Sequence, residues 1–300
     1  MSIVECRGLT KVLSGTRALN EFSCDIKENT ITGVIGRNGA GKTTLLKIIA
    51  GYMQQTSGEV QVFEQKPFNN LTVSANVIFV HEQLNMPAAL NLREILEVMA
   101  SFYKNWDMDL AQRLVNYFSF QPSAYYDGLS KGMKSTFNMI LGLAARTPLT
   151  IFDEPTTGMD AAVRNDFYRA LLKDYIAYPR TILLSSHHVD EIEDLLEDIL
   201  LLKQGKQVLH MPIADFKECA LGIEGNTAIV AKWTQDRELI FSKSGMFDTA
   251  YTVVRNNFSQ NELLEMQANG LKISSLNTSD LCIYLTSKTK GGIDDVFSQS

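Results

Sequence analysis

Gly36-Arg37-Asn38-Gly39-Ala40-Gly41-Lys42-Thr43-Thr44 decides how this chain is read. The stretch satisfies the pattern G-x-x-x-x-G-K-[ST], and its flanks matter as much as the pattern. Upstream, Thr30-Ile31-Thr32-Gly33-Val34-Ile35 is a β-branched run of the kind that forms a short buried strand. Downstream, Leu45, Leu46, Ile48 and Ile49 supply an apolar helix face, closed by Gly51. Strand, glycine loop and helix come in the order that lets backbone N–H groups cradle phosphates.

Gly36, Gly39 and Gly41 allow the backbone to turn and to approach a ligand without a Cβ in the way, and Asn38 and Ala40 complete the loop. A helix beginning near Gly41 adds unpaired N–H groups and the positive end of its dipole. That dipole end contributes only about 0.3–1 kcal/mol per charge. The Lys42 ammonium is therefore expected near the β- and γ-phosphates of a nucleotide, with the Thr43 hydroxyl on Mg²⁺ and Thr44 close to the α-phosphate.

Composition sets the outer bounds. A chain of 300 residues with 45% hydrophobic and 21% charged content is globular, with room for one large domain or two smaller ones. The net charge of −6 argues against a general nucleic-acid binder. Cys6, Cys24, Cys219 and Cys282 lack metal spacing and are read as reduced, buried thiols in a cytoplasmic protein. Met1 to Thr10 carries Glu5 and Arg7 and lacks the apolar core of a signal peptide, and the most apolar runs are too short to span a bilayer.

Along the chain, strands are expected at Ile3-Val4, Leu19 to Ile26, Gly58 to Phe63 (an edge) and Val77 to Val80. From residue 84 to about 145 the pattern is helical, with Leu92, Ile95, Leu96, Met99 and Phe102, then Leu110, Leu114, Val115 and Phe118, at helical spacing. These stripes read as core. Leu149-Thr150-Ile151-Phe152 is a strand that delivers the adjacent carboxylates Asp153 and Glu154, and Thr181 to Leu184 is another, ending at Ser185-Ser186-His187-His188. Asp190 to Asp198 reads as a solvated acidic helix before strands near Ile199 to Leu202 and Gln207 to Leu209. The alternation predicts an α/β domain over 1–211 with a mostly parallel sheet, an antiparallel edge sheet and a helical insertion. Beyond it, 212–300 reads as a small α+β appendage, with strands at Thr227 to Trp233, Glu238 to Phe241 and Leu271 to Ile273 and helices at Gln260 to Ala268 and Thr278 to Leu285.

Three additions narrow the chemistry. Glu154 follows Asp153 directly, which puts a second carboxylate where an attacking water would sit; His187 stands at the end of another strand; and Leu129-Ser130-Lys131-Gly132-Met133 sets a serine and a glycine at a helix N-terminus. On these residues, over roughly 2 to 211, the chain resembles the ATP-binding subunits of ABC transporters. The resemblance matches Gly36 to Thr44 to the Walker A loop, Asp153 and Glu154 to the Walker B end and catalytic glutamate, Asp160 to the D-loop aspartate and His187 to the switch histidine. Leu129 to Met133 resembles the signature motif, with Lys131 in place of its usual first glycine. The Q-loop lies at His81 to Leu84, where either Glu82 or Gln83 would sense Mg²⁺ and the partner; aligning Leu92-Arg93-Glu94 favours Glu82. Leu13 stands where such proteins stack an aromatic ring on adenine.

The resemblance implies two ATPase subunits, identical or different, clasping two ATP molecules between one subunit's phosphate loop and the other's Ser130 and Gly132, and driving a separate membrane permease from the cytoplasmic face. His81, His188 and His210 are left as structural. The Ser-Lys-Gly-Met signature and small appendage resemble Gram-positive exporters of peptides and antimicrobials; the appendage would serve dimerisation or regulation. A soluble, non-transport ABC ATPase acting on ribosomes or DNA stays open as an alternative, as does, more remotely, a P-loop kinase.

Overall fold

The computed structural model describes residues 1–82 and 84–287. It divides into two units, Met1–His210 and Met211–Ser300. In the first, β1 (Ser2–Leu13), β2 (Thr16–Lys27) and, after α1 (Lys42–Ile49), β4 (Ser57–Val62) form an antiparallel sheet in the order β2-β1-β4. The second sheet contains β3 (Ile31–Ile35), β5 (Val77–His81), β6 (Leu149–Asp153), β7 (Thr181–Ser186), β8 (Asp198–Lys203) and β9 (Lys206–Pro212), in the order β5-β6-β7-β3-β8-β9. Its strands from β5 to β8 are parallel, as their almost unbroken burial requires of a sheet covered on both faces. One apolar core joins Val4, Leu9 and Phe22 of the antiparallel sheet to Leu45 and Ile48 of α1 and to Phe79 and Ile151 of the parallel sheet.

Between β4 and β5 lies α2 (Leu71–Asn76), a single turn capped by Asn70 whose polar sequence carries too little periodicity to announce it. The helical insertion follows β5 as α3 (Leu92–Phe102), α4 (Met108–Tyr117) and α5 (Lys131–Ala145). Asn91 and Glu94 close a reciprocal capping box on α3, and Asp107 caps α4. Their stripes meet in a separate core around Leu92, Ile95, Val115, Phe137 and Leu141, as helical spacing predicts.

Where α5 ends, Arg146 takes a left-handed backbone and reaches both Asp107 at 2.9 Å and Asp174 at 2.7 Å; Asp174 lies in α6 (Ala161–Ala177). Arg180 approaches the other oxygen of Asp174 at 2.8 Å, and both Asp174 and Arg180 are buried. One carboxylate thus ties the insertion's last helix to the sheet-covering helix.

The acidic segment before β8 is not an α-helix. Val189–Glu191 and Glu193–Leu195 are two 3₁₀ turns, because the buried residues Val189, Ile192 and Leu195 recur every third position rather than at 3.6. Nor is the segment simply solvated: Glu197 accepts from the Ile31 N–H and the Tyr175 hydroxyl, and buried Asp198 pairs with Lys27.

The second unit runs α7 (Ile213–Glu218), β10 (Ala220–Asn226), α8 (Thr227–Thr234), β11 (Leu239–Ser244), β12 (Thr249–Arg255), α9 (Gln260–Ala268), β13 (Lys272–Ser275) and α10 (Thr278–Thr286). From β10 to β13 this is β-α-β-β-α-β, an antiparallel sheet ordered β11-β12-β10-β13, the split βαβ arrangement of ferredoxin-like folds. The expected strand at Thr227 to Trp233 is α8: Asn226 caps it, and Ile229, Val230, Trp233 and Thr234 fall on one buried helical face despite the β-branched pair. Cys6, Cys24 and Cys282 are buried thiols, whereas Cys219 is half-buried.

Asp174→Ala is expected to leave Arg146 and Arg180 without their shared counter-charge, costing about 3–5 kcal/mol of stability. Urea unfolding followed by circular dichroism should show the loss as a lower midpoint, with Asp174→Asn falling between the two.

Candidate active site

Parallel pairing puts the carboxyl ends of the strands on one edge. Register aligns Ile35 with Ser186, Ser185 with Asp153, and Asp153 with His81, so residues far apart in sequence emerge together just beyond these pairs. Such an edge, where connections leave in different directions, is where open α/β sheets bind ligands.

The loop after β3 comes first. Gly39 and Gly41 have φ of +80° and +106°, and a Cβ on Gly41 would fall 2.5 Å from the Ala18 carbonyl oxygen, so position 41 needs glycine twice over. Gly41 is the N-cap of α1, no side chain caps that end, and its first turn carries no acidic residue. The N–H groups of Lys42, Thr43 and Thr44 therefore present an uncompensated helix terminus suited to anions.

The Lys42 side chain is buried and bends back over the loop. Its ammonium donates to the Gly36 carbonyl at 2.6 Å and sits 3.2 Å from Glu154 Oε1. The other Glu154 oxygen lies 2.6 Å from His187 Nδ1, so one carboxylate links the loop lysine to the residue after β7. Glu154 adopts φ of 48°, in the left-handed region that a side chain rarely takes, and Thr157 secures its carbonyl with a hydroxyl donated at 2.9 Å. Asp153, buried at the end of β6, accepts a 2.6 Å hydrogen bond from Ser185 Oγ, and the same Ser185 oxygen accepts from the Glu154 N–H at 2.9 Å.

Ser185 was not singled out from the sequence. Its signal is a polar pair, Ser185-Ser186, closing an apolar strand before two histidines; in the structure Ser185 holds the Asp153 carboxylate and the Glu154 backbone N–H. Asp153 and the exposed Thr43 hydroxyl are hard oxygen donors, and Mg²⁺ is usually held by one or two carboxylates with phosphate and water completing the shell, so these residues fit that ion.

A second contacting set is distinct. Ser130 caps α5, accepting from the Met133 N–H at 3.3 Å while its own proton stays available to donate. Gly132 lies against the loop after β6: a Cβ there would meet the Gly158 carbonyl oxygen at 2.4 Å. Glu82 pairs with Lys131 at 2.6 Å. Asp160 caps α6, accepting from the Val163 N–H at 2.9 Å. The structure brings Lys42, Asp153, Glu154 and His187 together, and gathers Ser130, Gly132 and Glu82 elsewhere with Gly158. Gln83 lies outside the described residues. Leu13 ends β1 opposite Thr16, with Val12 and Leu13 both exposed. His188 packs against His187, with ring centroids 4.0 Å apart and the rings tilted by 47°. His81 packs on Phe79, and burial, with the nearby Lys47 charge, lowers its pKa, which leaves a neutral ring at pH 7. His210 is likewise kept neutral, first by burial.

Comparison with known proteins agrees with this geometry. The family model described as ABC transporter matches residues 19–157. ABC transporter ATP-binding protein YtrB of Bacillus subtilis is 28% identical over 216 residues, 72% of this chain and 74% of the relative. Bacitracin transport ATP-binding protein BcrA of Bacillus licheniformis is 27% identical over 72% of each chain. An uncharacterized ABC transporter ATP-binding protein of Bacillus subtilis, YdbJ, is 30% identical over 210 residues, 68% of this chain and 67% of the relative. Among solved structures, an ATP-binding subunit of an ABC transporter superposes with a TM-score of 0.65 at 23% identity, covering 72% of this chain and 92% of that one. A dimeric ATP-binding cassette bound to ADP and Pi gives 0.62 at 22% identity, over 70% and 98%. At these identities the structural likeness concerns the fold, and the relatives carry the family. The chain belongs to the ABC transporter ATP-binding proteins, the subunits that bind and hydrolyse ATP to power transport.

Proposed function

We propose that this ATPase drives export through a separate membrane permease, working as a dimer that clasps two ATP molecules at the cytoplasmic face of the membrane. The observation that carries the catalytic part is the Lys42–Glu154–His187 contact. A γ-phosphate reaching the loop exchanges with the Glu154 carboxylate for the Lys42 ammonium. Released from Lys42 but still braced through its own N–H on Ser185, Glu154 then accepts the proton of the attacking water or orients it. His187 holds the same carboxylate and stands ready to contact the phosphate. Thr43 and Asp153 would hold Mg²⁺, which when bound neutralises charge on the β- and γ-phosphates.

Gly36, Asn38, Gly39 and Gly41 wrap the phosphates with backbone N–H groups, while Ala40 donates its N–H to the Arg37 carbonyl at 3.0 Å and shapes the loop. Ser130 and the Gly132 N–H complete the cage of a second subunit's ATP, with Asp160 near the same junction. Leu13 supplies apolar contact, without ring stacking, to the base. The bacitracin-transport relative supports export of peptides or antimicrobials, and the ferredoxin-like unit is read as a dimerising or regulatory module.

For the permease, the helical insertion offers a groove of about 460 Å³ between α3 and α4, floored by Leu92, Leu96, Met108 and Val115 and edged by Arg93 and Glu97. An apolar floor with a charged rim suits a short helix presented by a membrane partner. Among the described residues no helix is long and apolar enough to cross a membrane.

Glu154→Gln should cut steady-state phosphate release by about 10²–10⁴-fold while ATP binding persists. Wild-type turnover in this variant removes Glu154 from the role. Lys42→Ala should instead weaken binding of a fluorescent ATP analogue at least about tenfold, in line with loss of a charged contact to phosphate. Affinity purification from membranes should recover a polytopic membrane protein, and the double reversal Arg93→Glu with Glu97→Lys should reduce that recovery without changing ATP binding by the isolated subunit; ribosomes or nucleic acid recovered instead would overturn the transport reading.

A further inference from the structure

Two positions depart from the pattern this chain otherwise follows. Lys131 stands where the signature has a glycine, and Glu82 is one of the two residues, with Gln83, that the resemblance offers for the usual glutamine. In the structure they touch: Lys131 Nζ lies 2.6 Å from Glu82 Oε1. We propose that Glu82 and Lys131 are one positioning unit, a charge pair that couples the strand end beside the nucleotide site to the turn that presents Ser130 and Gly132. The proposal rests on the two-subunit reading above and deepens it.

Each charge is awkward alone. Lys131 is the first residue of α5, the end of a helix that disfavours cations. Glu82 follows the last residue of β5, whose partner in register is Asp153, so it adds a carboxylate at the level of Asp153 and Glu154 on an edge meant for phosphate. Paired, the two neutralise each other at both places.

Geometry makes the pair a lever as well as a neutralisation. The aliphatic part of Lys131 crosses Gly158: a Cβ on that glycine would stand 3.2 Å from Lys131 Cγ, and its φ is +80°. Gly132 abuts the Gly158 carbonyl, and Ser135 Oγ donates to the Thr157 carbonyl at 2.8 Å. Thr157 is the residue that holds the Glu154 carbonyl. A shift of Glu82 toward a ligand at the strand edge thus pulls on the α5 N-terminus, which leans on the loop carrying Glu154.

Side chains of Lys131 and Glu82 are 58% and 46% exposed, so in water the pair by itself contributes no more than about a fivefold factor. A larger coupling in catalysis has to arise from its position. The test is a double-mutant cycle on the full chain: Glu82→Lys, Lys131→Glu and the two together, with Glu82→Gln plus Lys131→Gly as a neutral pair, reading kcat/KM for ATP and the Hill coefficient. Each single reversal is expected to lower kcat/KM at least about tenfold and flatten the ATP cooperativity, while the swap is expected to lose at least about fivefold less than the product of the two single losses, and the neutral pair less than either single reversal. A merely structural contact would move the thermal midpoint in parallel with activity and leave the Hill coefficient unchanged. If the swap's loss equals the product of the two single losses within about twofold, the pair is not a unit and the proposal falls. Sedimentation of the Glu154→Gln chain with ATP separates this from the underlying reading: absence of an ATP-dependent dimer overturns the arrangement of two identical subunits, whereas the kcat/KM cycle still decides whether the two charges are coupled.

Discussion

Everything at the candidate site depends on strands that run in one direction and in register. A parallel sheet cannot be closed by tight turns, so each strand is followed by a crossover, and each crossover leaves from the same edge. Ile35, His81, Asp153 and Ser186 end their strands within one row. The glycine loop, the two carboxylates and His187 meet because the hydrogen-bond ladder leaves them no other place to emerge.

Within that frame, polar groups stand in for one another. Lys42 has Gly36 and Glu154 as partners, Glu154 has His187, and Ser185 joins the Asp153 carboxylate to the Glu154 backbone N–H. A buried ammonium needs such partners, since the desolvation cost of an unpaired charge is several kcal/mol. The same arrangement leaves Lys42 ready to accept phosphate oxygens in exchange for a carboxylate. The second set of contacts, at the N-terminus of α5, is held by close backbone approach at Gly132 and by the Glu82–Lys131 pair rather than by burial.

Much of this was legible in the sequence where a local rule fixes a local shape. The β-branched run before Gly36, the apolar stripes of α3, α4 and α5, and the strand before Asp153 each carry a period or a composition that one element alone can satisfy. Elsewhere local signals tie. Ile229 and Val230 favour a strand, yet Asn226 caps a helix whose buried face needs Trp233 and Thr234 as well. Val189, Ile192 and Leu195 suit an α-helix loosely and a 3₁₀ turn better, a distinction set by what they pack against. The run Tyr251-Thr252-Val253-Val254 of β12 passed unassigned, and with it the split βαβ order of the second unit.

By itself the sequence determined the glycine loop, the Asp153–Glu154 pair, the alternation of strand and helix and hence the family, because those features are written in residue type and spacing along one chain. Tertiary structure alone decided that Glu154 bridges Lys42 and His187, that Ser185 links the Asp153 carboxylate to the Glu154 backbone, and that Glu82 answers Lys131. These are contacts across 31 to 112 residues of separation or between neighbouring strand ends, and no periodicity encodes them. The physical reason is that side-chain pairing depends on where the backbone ends its strands, and that is settled only when the sheet assembles.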